Sequence, residues 1–197
     1  MPTVNLAITD TADDGTEFGT GALFQSDSVS WNAGFNSMFG VTATAFLRFL
    51  GVDVPNGATV SDATLTVTVV SITGTPDTTW FGVDEDDVAQ FASPGNLPTS
   101  ATTTTASVDG DPPGTGVQSF DVTAIVQEII DRAGWASGNA MAFVCKDNAG
   151  SGNNLWQGED LEDGGGGEAS LEITYTAAAS NNIRAAVAHQ RFHNRAL

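Results

Sequence analysis

Ala63-Thr64-Leu65-Thr66-Val67-Thr68-Val69-Val70-Ser71-Ile72 decides the fold class. Leu65, Val67 and Val69 fall on one side of an extended chain, and Thr64, Thr66 and Thr68 fall on the other. Alternation of this kind marks an antiparallel strand with one face on a core and the other toward water. Pro55-Asn56-Gly57 supplies turn chemistry just before it, and residues 46–50 read as the preceding strand. Working outward, strands are expected at residues 4–8, 80–83, 141–146, 155–158 and 169–176. In the last of these Leu171, Ile173 and Tyr175 share a face. Residues 22–44 should hold short strands, and residues 10–21, polar and Gly-rich, should form a loop. Residues 92–116 read as a Pro- and Gly-rich surface excursion with one edge strand over 102–108. Residues 148–154 and 163–167 read as turns or loops.

One segment follows a different period. Val122, Ile125, Val126, Ile129, Ile130 and Ala133 recur at the spacing of a one-sided helical stripe, which predicts a short amphipathic helix over about 121–133. Asp121 or Thr123 can cap its first turn, and Gly134 suits the position just past its end.

A chain of 197 residues can bury one good core, and all-β domains often reach this length. The single composition break falls near residues 177–180, dividing the chain into a body, 1–177, and a basic tail, 178–197, for anchoring or oligomerisation. All 24 acids precede residue 180, against Arg48, Arg132 and Lys146, so the body carries a net charge of −21. The tail holds Arg184, Arg191 and Arg195 and no acid. So acidic a body repels phosphate backbones, which argues against nucleic-acid binding. No run approaches the roughly 18 to 20 apolar residues that span a membrane. The opening Met1-Pro2-Thr3-Val4-Asn5-Leu6 does not read as a signal peptide, so the expectation is synthesis in a cytoplasm without export by the usual route.

Enzymatic signals are weak. The two histidines, His189 and His193, are both in the tail, which leaves the body without the base of a Ser-His-Asp arrangement. They stand four apart without a third metal ligand nearby. Neither a nucleophile elbow nor a phosphate loop occurs. Cys145, the only cysteine, lies in an apolar run and reads as a buried thiol. Calcium is the more credible small ligand, since hard cations favour clustered carboxylates on loops. Asp10, Asp13, Asp14 and Glu17 form one cluster, and Glu159, Asp160, Glu162 and Asp163 another; neither has EF-hand spacing. Trp31, Trp80, Trp135 and Trp156 are the rings that could stack on sugar, with core packing as the plainer alternative for each. In the tail, a helix would place Arg184, Arg191 and Arg195 on one face and Ile183, Val187 and Leu197 on another, with Phe192 roughly opposite. Such a segment is either flexible or docked on a partner surface, including a neighbouring copy.

Residues 45–49, 55–67 and 119–128, with the closing Leu171-Glu172-Ile173-Thr174-Tyr175, resemble the DNRLRE-type β-sandwich. That is a jelly-roll relative of carbohydrate-binding modules, found in surface proteins and in some phage structural proteins. The likeness covers roughly residues 4–176; it departs at Leu50-Gly51, where the family often has Asp after the Phe. The resemblance implies an all-β, antiparallel jelly-roll β-sandwich with one short helix and a helical or flexible C-terminal tail. It also implies a module that binds or builds, needs no cofactor, and in related cases holds a structural calcium between an early loop and a late strand. The function expected is that of a non-enzymatic bacteriophage virion protein, a capsid decoration protein or head- or tail-fibre-type adhesin. It would be located in the virion and attached through Ile183, Arg184, Val187, Arg191, Phe192 and Arg195. Its partners would be other virion proteins, copies of itself and host surface glycans. The alternative is a carbohydrate-binding module of a cell-surface or secreted protein, with Trp80, Trp135 and Trp156 as glycan contacts.

Overall fold

The alternating stretch becomes the longest strand of a computed structural model that describes residues 1–178, apart from 20, 22, 27 and 162–165. In chain order the strands are β1 (Thr3–Ala7), β2 (Asp14–Phe18), β3 (Leu23–Gln25), β4 (Ser30–Asn36), β5 (Val41–Phe49), β6 (Thr59–Thr73), β7 (Thr78–Val83), β8 (Thr103–Asp109) and β9 (Gly116–Asp121). The helix α1 (Thr123–Ile130) follows, then β10 (Met141–Asp147), β11 (Asn154–Glu159) and β12 (Ser170–Thr176). Every strand pairing among the described residues is antiparallel. The protein is therefore all-β in class, with a single α-helix among the described residues.

The sheet runs β1-β12-β6-β11-β4-β5-β10-β7-β8, with β9 on the other side of β6 and the β2–β3 pair on the other side of β5. It curls because two strands each serve two neighbours along one side. β6 pairs with β12 over Thr59–Thr66 and then with β11 over Val69–Thr73, the latter across a bulge at Gln157/Gly158. β5 pairs with β4 at its start and with β10 from Ala45 onward. The extra residue of a bulge strengthens local twist, which helps the sheet close around its own inner face.

That inner face holds the main core. Leu65, Val67 and Val69 of β6 face Leu47 and Phe49 of β5, Phe143 and Cys145 of β10 and the apolar stripe of α1. At its centre Trp31, Trp80 and Trp156 meet edge-to-face, with ring centroids 4.8 to 6.1 Å apart. A methyl group at Gly158 would run into the Trp31 indole, so the bulge carries the one residue that lets the strand pass the ring. β5, β7 and β10 are covered on the opposite face too. There Phe46, Val83, Ala142 and Val144 pack under Val88 and Phe91, and Phe24 stacks on Phe46 at 5.2 Å. Burial on both faces is why residues 141–145 read as a continuous apolar run rather than an alternating one.

α1 is shorter than the stripe that predicted it. It ends at Ile130, and Ala133 is exposed in the turn that follows. The residue at the cap position is Val122, which makes no side-chain cap bond, and the expected bond to the first turn comes from Asp121 just before it. Asp121 accepts a bond from the Thr123 N–H at 3.0 Å, while the Thr123 hydroxyl turns to the sheet. The helix lies across β7 at Gly82, where a methyl group would sit 2.6 Å from Ile125 Cγ2 and 2.7 Å from Ile129 Cδ1. Its polar side chains complete the sheet. The Thr123 hydroxyl accepts from the Ala63 N–H and the Gln127 side-chain carbonyl from the Val60 N–H, both at 2.8 Å. Glu128 accepts from the Thr105 and Ala106 N–H groups, both at 2.7 Å, beside the irregular pairing of β7 with β8. These donors are backbone groups that no strand reaches, and each is satisfied by a helix side chain.

Residues 10–21 are not a loop throughout, since β2 forms inside them, paired with β3 and β5. β9, within the segment before the helix, was also not expected as a strand; it pairs with β6 from Thr64 to Val69.

Candidate functional site

The acid clusters are the first place to look for chemistry, and the strand they sit on decides their fate. Successive side chains of β2 point to opposite faces, so Asp14 and Glu17 diverge. Asp10 is exposed and accepts from the Ala12 N–H. Asp13 is buried and ion-paired to Arg48 at 2.6 Å. Asp14, fully buried, accepts from the Leu161 N–H at 3.2 Å, which brings the early cluster against the backbone that follows Asp160. Glu17, also fully buried, accepts from the Gly21 N–H (2.7 Å), the Thr99 N–H (2.8 Å) and the Thr99 hydroxyl (2.7 Å). Glu159 is half-buried and Asp160 buried; Glu162 and Asp163 lie outside the described residues. Among the described residues, no three His, Cys, Asp or Glu side chains converge as a metal site. The two sequence clusters do meet, at Asp14 and the 160–161 backbone.

Glu17 instead braces the cover over the outer apolar layer, tying the β2–β3 turn to the 3-10 turn Pro98–Ser100. Lys146 is close enough to feel its charge: burial lowers the ammonium pKa and the Glu17 carboxylate opposes that shift. Glu17→Gln should cost about 1–3 kcal/mol, because either amide orientation sets an N–H₂ against a donor that the carboxylate satisfied. Calorimetry should show the melting temperature falling by roughly 2–12 °C. An unchanged melting temperature would mean that the three bonds add nothing to stability.

The acidic run after β7 is likewise structural. Arg132 pairs with Asp84 and, at 2.8 Å, with Asp86, while Asp87 accepts from the Ala140 N–H. Cys145 is fully buried, and burial pushes its thiol pKa well above the ordinary range, which leaves it no nucleophilic character.

The structure buries the rings suggested as sugar platforms. Trp80 and Trp156 are fully enclosed in the central aromatic cluster, with the Trp156 indole N–H donating to the Thr78 hydroxyl at 3.2 Å. Trp135 is buried beneath the loop after β5, its indole N–H donating to the Val54 carbonyl at 2.8 Å. With their faces packed on protein, none offers a surface for a sugar to stack on. The tail residues Ile183, Arg184, Val187, Arg191, Phe192 and Arg195 lie outside the described residues, as does any helix they would form.

Two surface features were missed in the sequence. The first is a polar hollow on the outward face of β1, β12 and β6, lined by Asn5, Ser170, Glu172, Thr64 and Thr66. Asn5, Glu172 and Thr64 stand in one row across the three strands, and Ser170 and Thr66 in the next. The threonines of the alternating strand were its signal, since they had to face outward together. The second is an apolar recess of about 350 Å³ where the β2–β3 and β4–β5 hairpins meet. Phe18, Leu23, Phe39 and Val41 line it, with Leu23 51% and Phe39 70% exposed. Spread over four short segments, those residues carry no periodic signal.

A scan of the chain against protein-family models finds no match, and no curated protein matches it.

Proposed function

We propose that this chain is a non-enzymatic structural protein of bacteriophage particles, a capsid decoration protein or a head- or tail-fibre-type adhesin, and that its curled sheet is a jelly-roll sandwich of the DNRLRE type. The observation that carries this reading is the segregation of charge: a body of net −21 followed by a terminal stretch with three arginines and no acid. The body's buried acids are engaged in bracing it, as Asp13 and Glu17 show, so its architecture supports a durable scaffold. The tail, through Ile183, Arg184, Val187, Arg191, Phe192 and Arg195, is the attachment element. Partners on this reading are other particle proteins and copies of the chain itself, without nucleic acid or membrane. No cofactor is required; a structural calcium would belong where Asp14 meets the 160–161 backbone.

The second reading, a carbohydrate-binding module, draws on the polar hollow. Its amide, hydroxyls and carboxylate match the hydroxyl-rich face of a sugar, and it would equally let a particle protein hold host glycans. Quantitative mass spectrometry of density-purified particles tests both. The expected result is recovery in fixed proportion to a major capsid protein, with at least a tenfold drop for the Ile183→Asp/Val187→Asp variant. Equal incorporation of the variant would remove the tail from the proposal. Recovery only in a polysaccharide-bound fraction would replace the first reading with the second.

A further inference from the structure

The two ends of β6 lie at opposite ends of the body. Thr59 pairs with Thr176, two residues before the last described residue, and Ala178 Cβ comes within 4.0 Å of a methyl position built on Gly57. The remaining chain therefore leaves beside the β5–β6 turn. Thr73, at the other end, pairs with Leu155, and neighbouring Asn153 accepts from the Ser37 N–H at the tip of the β4–β5 hairpin. That hairpin, through Phe39 and Val41, forms one wall of the apolar recess.

Residues 179–197 carry aliphatic side chains at Ile183 and Val187, four apart, the spacing that puts two side chains on one helix face. From Ala178 to Val187 the chain spans at most about 30 Å even fully extended. β6, with 15 residues, would reach about 50 Å if straight and fully extended. Ile183 and Val187 thus start from the end of their own body away from its recess, while the recess end of another copy can be brought directly beside them. The bodies repel each other at net −21, and a segment bearing three arginines and no acid is the part of the chain attracted to a neighbouring body.

We propose that the recess formed by Phe18, Leu23, Phe39 and Val41 receives Ile183 and Val187 of a second copy, so that each copy gives its tail at one end and takes a tail at the other. A contact of this head-to-tail kind closes into rings or runs on as a filament according to the rotation it imposes. The proposal rests on the tail being the attachment element and names what it attaches to.

Complementation between two full-length variants tests it. Ile183→Asp/Val187→Asp removes the donor, and Leu23→Asp/Phe39→Asp removes the acceptor at two exposed positions; matching thermal melts confirm that both fold. Sedimentation velocity should show concentration-dependent oligomers for the unaltered chain and monomers for each variant alone. An equimolar mixture should give a 1:1 dimer that grows no further, since only one donor and one acceptor remain. A monomeric unaltered chain, a mixture that stays monomeric, or an acceptor variant that still assembles would each overturn the proposal. In the last case, with the donor variant monomeric, the tail still attaches, but elsewhere. Normal incorporation of the donor variant into particles would instead count against the functional reading.

Discussion

Ile129→Asp should abolish the cooperative fold. Ile129 is fully buried, on the face of α1 that lies over Gly82 and packs into the main core. The substitution removes the packing of an isoleucine, worth about 2–5 kcal/mol in large-to-small replacements. It also places a carboxyl group where no solvent reaches; whether that group stays charged or takes up a proton, several further kcal/mol are lost. The sum is comparable to the whole stability of an ordinary domain, about 5–15 kcal/mol. Near-ultraviolet circular dichroism from the buried tryptophan cluster should collapse at 25 °C. Ile129→Val, which keeps the shape, should cost only about 0.5–1.5 kcal/mol. A cooperative melt of the Asp variant within a few degrees of the unaltered protein would mean that this helix face is not buried.

Arg48→Met should destabilise the body by about 3–5 kcal/mol, because it strands a carboxylate. Asp13 is 1% exposed and Arg48 14%, their contact is 2.6 Å, and the Arg48 Nε–H also donates to the Val88 carbonyl at 2.7 Å. Methionine keeps the aliphatic length and removes only the charge and the donors. Equilibrium unfolding in urea should show the lower midpoint, and the melting temperature should fall by roughly 6–20 °C. The double variant Asp13→Leu/Arg48→Met should recover most of the loss, since replacing both members of a buried pair with apolar groups is often neutral. A loss under about 1 kcal/mol for the single variant would show that water reaches Asp13 in solution.

The strands that could be read in the sequence are those whose burial is local. β6 alternates because one of its faces is wet, and β12 does the same through Leu171, Ile173 and Tyr175. β2 could not be read. Its sequence, Asp14-Gly15-Thr16-Glu17-Phe18, holds two acids and a glycine, residues that strands disfavour. It is a strand because β3 and β5 pair with it and because partners from residue 99 and residue 161 meet its acids. Nothing within the segment announces those partners. The expected helix overran because Ala133 continues the stripe in spacing, whereas the helix ends at Ile130 and Ala133 lies exposed in the turn beyond it. How the acid clusters are arranged could not be read in the sequence, because proximity in sequence is not convergence and a strand separates neighbours by its own alternation. The tryptophans carried both readings in sequence, and only the packing of Trp31, Trp80 and Trp156 on one another separated them.

The bonds from Thr123 and Gln127 to the start of β6 have a consequence for how copies of the protein behave when held close together. An open strand edge is a template on which a stray chain can add by backbone pairing, and crowded copies are the setting in which that becomes aggregation. At Val60 and Ala63 the edge donors are already taken by side chains of a helix, which has no further edge to offer. Contact between neighbours along this margin is left to side chains, which can discriminate a partner from a stranger in a way that backbone pairing cannot.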